Sequence, residues 1–414
     1  MEQRLRRMDA KHFLGEPRLL ISTDALRTNL RTLRRHLAPT VGLCAVLKAN
    51  AYGHGATVIA QALRQIETES PFDRVDALAV ATFEEADELQ DMDKPIMLLR
   101  PVENAFLGRQ RELIEHAILH GWTLTLRSAS AADDIARIAM HLQKRASVQI
   151  MVDTGMHRCG VVYDEFAHVL ERMLHHSALR LNGVATHFAN SELQGNAFTN
   201  QQLRLFNRLL DEYPILESVP KHAANSGAIF FTPRAHFDMV RPGLSLYGID
   251  PTGHPSSDRP LAPVARLVAP IIAVHELEVG QTVGYGQTFV ATEPTRIGIV
   301  ALGYADGYPR AASNRGVVNV LGHFCGVVGR VSMDMTAINL TRCPDAGVGD
   351  EVILIDSDPH SPASIYPLTR MTDQIAYEIL TGFGSRIKRV VCPIGPSEQT
   401  LPDDEPPKPL VLPR

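Results

Sequence analysis

Between residues 18 and 250 the chain alternates short apolar runs with stretches of helical period. The runs read "RLLIS", "GLCAVLK", "ALAVAT", "PIMLLR", "TLTLRS", "VQIMVD", "LNGVATHF", "KHAANS" and "MVRPGLSLYG". Between most of them lie segments such as "ALRTNLRTLRRHL", "EFAHVLERML" and "QQLRLFNRLLDEY", with apolar positions every three or four residues. Strand followed by helix, repeated this often, predicts parallel βαβ units. Eight such units close a β/α (TIM-like) barrel, placed here at residues 24–250. Nine candidate runs leave one surplus, and the pattern does not say which.

After the turn-rich stretch "GIDPTGHPSSDRP" (Gly248 to Pro260) the texture changes. Segments such as "APIIAVHELEVGQTVGYGQTFVA", "RIGIVALG", "GVVNVLGHFCGVVGRVSMDMTAINL" and "DEVILID" are rich in Val and Ile and punctuated by glycine. One short helical pattern stands near "LTRMTDQIAYEIL". This predicts a second, mostly antiparallel β domain over residues 251–395. The proline-dense residues 396–414 read as a disordered tail or as an extended arm on a partner.

Composition narrows the function classes. With 414 residues and 45% hydrophobic content the chain can bury a full core. The formal charge of −5 is spread among interspersed acids and bases, which argues against nucleic acid and against a membrane surface as partners. No apolar run reaches the length of a membrane span, and the start lacks the apolar stretch of a secretory signal. Five scattered cysteines without a CxxC, and no HExxH among seventeen histidines, fit reduced thiols in a cytoplasm and no dedicated metal site.

The chemistry begins at "AVLKANAYGHG" (Ala45 to Gly55), where an apolar run ends in Lys48. Barrel active sites lie at the C-terminal ends of the strands. A lysine there loses solvation, which favours the neutral amine that can attack an aldehyde and form a Schiff base. Taken alone, such a lysine more often snorkels into water. Other runs end in polar groups at what should be the same rim: Asp153 to Arg158, His187, Asn225 with Ser226, and Arg241 with Gly243. Singly, Asn225 and Ser226 read as helix caps and His187 as a satisfied rim histidine. Together they outline a polar mouth holding a lysine, an arginine and phosphate donors, the inventory of a pyridoxal phosphate site. A dinucleotide reading of "AYGHGATVIAQAL" is weak, because Val58 stands where a third glycine or alanine should be.

"AVLKANAYGHG" resembles the cofactor-lysine motif of alanine racemases. "DTGMHRCG", "THF", "HAANSGA", "MVRPGLSLYG", "VGYGQTF", "ALGYADGYPR", "GRVSMDM" and "IAYEIL" resemble further blocks of that family, in the same order over almost the whole chain. The resemblance implies a pyridoxal phosphate-dependent isomerase acting on a small amino acid, most simply alanine. It implies a head-to-tail homodimer, and it assigns residues 1–23, with the surplus run "RLLIS", to the β domain. Lys48 would hold the cofactor and act as one catalytic base; Tyr285, reaching in from the partner, would be the other. Tyr52, Ser226 and the backbone at Gly243 and Leu244 would bind phosphate, with Asn225 beside them among the cofactor-binding residues. His187 would sit beside the ring and connect to Arg241, which would face the pyridine nitrogen and keep it unprotonated. Arg158 would approach the ring's phenolic oxygen and the substrate side, Met333 from the partner would help place the substrate carboxylate through its backbone, Tyr304 would narrow the entrance, and Asp334 would lie on the substrate side. Two departures stand out. Met151 occupies a position where many relatives carry a carbamylated lysine, so Arg158 needs another anion or is held less firmly, and racemases of broader substrate range share that feature. Ser385 replaces a phosphate-contacting tyrosine of some relatives. A decarboxylase of the same barrel class would carry an acid where Arg241 stands, and a pyridoxal phosphate carrier protein would lack the β domain.

Overall fold

The computed structural model describes residues 16–392; the tail expected at 396–414 lies outside the described residues. Two compact units form within that span, one of residues 29–246 and 250–252, the other of 16–28, 247–249 and 253–392. The first strand, β1 (Arg18–Ile21), belongs to the second unit, so the surplus run of the sequence is this one.

The first unit contains β2 (Gly42–Val46), β3 (Ala77–Val80), β4 (Ile96–Pro101), β5 (Thr123–Leu126), β6 (Ala146–Asp153), β7 (Val161–Val162), β8 (Leu179–Ala185), β9 (Lys221–His222) and β10 (Met239–Val240). Hydrogen bonds run in the order β5-β4-β3-β2-β10-β9-β8-β6, and β6 pairs with β5 to close the ring. Every pairing in the ring is parallel, which makes a closed eight-stranded barrel among the described residues. The two-residue β7 adds to β6 outside that ring. Parallel strands need crossovers, and amphipathic helices supply them. In the helix Ala129–His141 the buried stripe is Ala131, Ala132, Ile135, Ala136, Ile138 and Ala139, small enough to seat the helix close against its neighbours. Its first turn is capped by Ser128, whose hydroxyl accepts from the Ala131 N–H at 3.1 Å. In the helix Ala197–Glu212, Leu203, Phe206 and Leu209 are buried, each contributing roughly 1.5–3 kcal/mol through area removed from water.

The second unit is built on β11 (Ala265–Leu277), with the short hairpin β12 (Thr282–Val283) and β13 (Phe289–Val290) beyond it. The remaining strands are β14 (Thr295–Val300), β15 (Val317–Val320), β16 (His323–Gly326), β17 (Thr336–Asn339), β18 (Glu351–Ile355) and β19 (Lys388–Val391). The first half of β11 lies between β1 and β18, while its second half pairs with β14. The change of partner falls at Pro270, which has no N–H to donate, and at a bulge between Ile271 and Ala273. All pairings between the named strands of this unit are antiparallel except β1 with β19. The stretch "LTRMTDQIAYEIL" is not one helix but two, Ile365–Thr372 and Ala376–Thr381. Asp373 breaks it by adopting a left-handed conformation (φ 56°), which aspartate tolerates better than most residues. Among the described residues no helix is long and apolar enough to cross a membrane, and no group of three His, Cys, Asp or Glu side chains is placed to hold a metal ion.

Candidate active site

Leu43 to Leu47 are fully or almost fully buried, and the chain emerges from β2 at half-buried Lys48. The next four residues do something no propensity rule predicts. Ala49, Asn50, Ala51 and Tyr52 all have φ between 52° and 54°, forming a left-handed helical turn. Each L-residue in that conformation costs roughly 1–2 kcal/mol, so the turn persists only because its surroundings over-determine it. Glu85 Oε1 accepts from the Ala49 N–H at 2.7 Å, Asn50 Oδ1 accepts from the Ala56 N–H at 2.7 Å, and the Gly53 N–H donates to the Ala49 carbonyl at 2.9 Å. Glu85 is itself held by a capping box with Thr82, and its Oε2 also accepts from the Ala81 N–H at 2.7 Å. The turn throws Tyr52 back across the rim until its hydroxyl presses on Gly243. A Cβ at position 243 would lie 2.4 Å from Tyr52 Oη, so only glycine fits there.

Beside that contact, Ser226 Oγ accepts from the N–H groups of Gly243 (3.1 Å) and Ser245 (3.2 Å), tying the loop after β10 to the helix Ser226–Phe231. Asn225 caps the same helix: its Oδ1 accepts from the Ala228 N–H at 3.2 Å and from the Ser191 hydroxyl at 2.5 Å. Arg241 is buried, and its guanidinium is fixed on two sides. Nη1 donates to His222 Nδ1; Nη2 donates to the carbonyls of Thr186 (2.8 Å) and Ala223 (3.2 Å) and lies 3.5 Å from His187 Nδ1. Burial brings Arg241 down to about 10, which leaves it cationic at neutral pH. Burial first, then the charges of Arg241, Arg158 and Lys48, push His187 down to about 3. His222 is driven well below the usual range by burial and Arg241. Both imidazoles are therefore neutral. Because His222 accepts at Nδ1, its proton sits on Nε2, which is buried and has no hydrogen-bond partner among the described residues.

Lys48, Met151, Arg158 and His187 line one cavity of about 200 Å³, together with Leu99 and Arg100. Neither the Lys48 nor the Arg158 side chain makes a hydrogen bond or salt bridge within the described residues. The carboxylate in the wall, Asp153, is committed to the backbone N–H groups of Gly155 (2.9 Å) and His157 (3.0 Å). Desolvation lowers the Lys48 pKa, and Arg158 and Arg241 lower it further against the opposing pull of Glu85. The cavity thus presents an amine inclined to be neutral beside an unpaired guanidinium.

The other candidate residues lie on the second unit. Tyr285 stands at the tip of the β12–β13 hairpin, 72% exposed, between Gly284 and Gly286, both at φ 71°. A Cβ on Gly286 would meet the Arg330 guanidinium at 3.2 Å, so that glycine also makes room for a packed arginine. Tyr304 and Met333 are exposed on two turns that are laced together: the Tyr304 N–H donates to the Ser332 carbonyl and the Ala305 N–H to the Met333 carbonyl, each at 3.0 Å. Asp334 accepts from Arg386 at 2.8 Å. The sequence pattern alone does not single out His222, Glu85 or Arg386. The Thr82-x-x-Glu85 spacing is a visible capping signal, and His222 adjoins "AANSG"; nothing local marks Arg386.

Family models for the alanine racemase N-terminal and C-terminal domains match residues 21–251 and 264–391. An alanine racemase of Chlorobaculum tepidum is 37% identical over 374 residues, 90% of this chain and 94% of that protein. The biosynthetic alanine racemase of Salmonella typhimurium is 36% identical over 374 residues, 89% and 97% of the two chains. The crystal structure of the alanine racemase from Bartonella henselae, described with covalently bound pyridoxal phosphate, matches with a TM-score of 0.79 at 32% identity, over 91% of this chain and 100% of that one. A barrel whose rim joins an unpaired lysine to a buried arginine and its two neutral histidines, and matches of this extent across both units, lead to one conclusion: the chain belongs to the alanine racemase family.

Proposed function

We propose that the chain interconverts L- and D-alanine with pyridoxal phosphate, using Lys48 on one face of the substrate and Tyr285 of a second copy on the other. The observation that carries the reading is Lys48: an unpartnered amine with a lowered pKa, in a cavity shared with Arg158 and His187. The residues present fit the cofactor. The tight contact between Tyr52 Oη and Gly243, with Ser226 and Asn225 alongside, suits a phosphate, and the cationic cavity suits a phenolic oxygen. Pyridoxal phosphate, when bound, supplies an electron sink that acidifies the α-hydrogen of an attached amino acid.

Inversion requires a proton to leave one face and another to arrive on the opposite face. Lys48 Nζ holds or releases a proton on one side and Tyr285 Oη on the other. Tyr52, Asn225, Ser226 and the backbone at Gly243 and Leu244 bind the phosphate. Arg241 keeps its own protons and acts as a fixed cation, supported by His187 and His222, where an acid would favour competing chemistry. Arg158 would face the phenolic oxygen and the substrate side, the backbone at Met333 of the second copy would help place the substrate carboxylate, Asp334 steadies that turn, and Tyr304 narrows the mouth. Tyr285 is exposed at a hairpin tip, which supports its contribution across a head-to-tail homodimer. Five unpaired cysteines support a cytoplasmic setting, where the product serves or drains the D-alanine pool for peptidoglycan.

Met151 favours a second reading, a racemase of broader range, because a thioether leaves Arg158 unclamped and the cavity wall apolar. In heavy water, deuterium should enter the α-position of both alanine enantiomers without release of carbon dioxide. Carbon dioxide release, or no exchange at all, would refute the racemase reading; equal rates with larger amino acids would favour the broader one.

A further inference from the structure

Three segments of the second unit meet at Arg386: the turn carrying Tyr304, the turn carrying Met333, and the loop after the helix Ala376–Thr381. Its Nε lies 3.0 Å from Asp306 Oδ1 and its Nη1 donates to Asp334 Oδ1 at 2.8 Å. Asp306 is buried, and its second oxygen accepts from the Gly303 N–H at 2.9 Å, so this carboxylate is fixed from both sides. The two turns also touch directly. A Cβ on Gly303 would lie 2.3 Å from the carbonyl oxygens of both Ser332 and Met333, so the backbones are at their limit of approach. The arginine is itself held from behind. The Gly384 N–H donates to the Asp306 carbonyl at 3.2 Å, and Arg389 donates to the carbonyls of Phe383, Gly384 and Ile387 at 2.7–2.8 Å.

We infer that Arg386 is a positioning residue: by holding Asp306 and Asp334 on two nitrogens of one planar fork, it sets the register of the Met333 turn against the Tyr304 turn. The inference rests on the reading above, in which the Met333 backbone orients the substrate carboxylate and Tyr304 narrows the mouth. Its physical content is that two carboxylates on different turns need two donors at a fixed angle, which guanidinium supplies and a point-charge ammonium does not. Backbone contacts alone join the turns at Ser332 and Met333; Arg386 extends the tie one residue further, to Asp334.

The test is carboxylate binding without chemistry, using propionate (alanine without its amine) as a competitive inhibitor of the holoenzyme. Arg386→Gln should raise the inhibition constant of propionate and the KM for alanine together, about 5- to 10-fold, and leave kcat within about 3-fold. Arg386→Lys should recover part of the loss, and Asp334→Asn should match Arg386→Gln. The double variant should be no worse than the poorer single one, since both break the same tie. A merely structural role would lower thermal stability and kcat without separating KM from kcat, and that pattern would overturn the inference. So would a double variant whose effects multiply. If wild-type enzyme racemises alanine and Arg386→Gln changes neither constant, Arg386 has no part in the site and the racemase reading stands. If wild-type enzyme neither racemises alanine nor is inhibited by propionate, that reading fails and takes the inference with it.

Discussion

Replacing Gly243 by alanine adds one methyl group where the structure has no room. The new Cβ would stand 2.4 Å from Tyr52 Oη and 2.8 Å from Tyr52 Cζ, well inside normal contact. Glycine 243 is not in the left-handed region, so alanine meets no backbone penalty and the effect is steric. Tyr52 cannot simply back away. It is 7% exposed and ends a left-handed turn tied down at Ala49, Asn50 and Gly53. Overpacking of this kind costs about 1–3 kcal/mol. Whatever part is relieved by moving Tyr52 is lost from phosphate binding, so the cofactor should bind about 5- to 150-fold more weakly if the whole cost appears there. Titrating cofactor-free protein with pyridoxal phosphate and following absorbance gives the affinity; a thermal melt of the same protein gives the remainder. Tyr52→Phe in the Gly243→Ala background should recover little, because Cζ remains too close. A Gly243→Ala protein with wild-type affinity and wild-type melting temperature would show that the Tyr52–Gly243 contact is not part of the phosphate cradle.

Other expectations follow from the same geometry. Tyr285→Phe should abolish proton removal from one alanine enantiomer while cofactor absorbance stays unchanged; racemisation at the wild-type rate in both directions would remove Tyr285 from the mechanism. In cofactor-free protein the Lys48 amine should react with an acylating reagent at a pH below that of an ordinary lysine, because burial and Arg158 disfavour its protonated form. Arg158→Gln should move that reactivity profile to higher pH, and an unmoved profile would show that Arg158 does not act on the amine. His187 has its folded pKa depressed to about 3, so the unfolded chain binds its proton first as pH falls below about 6.5. The stability this neutral ring contributes is fully present above pH 6.5 and is lost progressively as pH falls towards 3. His187→Asn in cofactor-free protein should flatten the fall in denaturation midpoint across that window; an identical slope would mean that His187 titrates normally.

Much of this protein is written locally. The alternation of apolar runs with amphipathic stretches follows from the 3.6-residue and two-residue periods of helix and strand, so the parallel barrel and the antiparallel unit were legible from residue type alone. Lys48 at the end of β2 was legible for the same reason, since a charged residue closing a buried run has nowhere to go but the rim. What tertiary structure decided is whatever depends on partners distant in sequence. β1 looks like any other strand of the barrel unit, yet its hydrogen bonds go to β11 and β19, more than 240 residues away in the numbering. The left-handed turn at Ala49–Tyr52 runs against the intrinsic preference of every residue in it, and is held by Glu85 from another βα unit. Asp373 divides a pattern that reads as one helix. The neutrality of His187 and His222 comes from burial beside Arg241, and charge in a low-dielectric interior is a property of the assembled site, not of a residue type. Local sequence sets which elements form; only the closed barrel and the packed turns bring together the groups whose proximity gives them their chemistry.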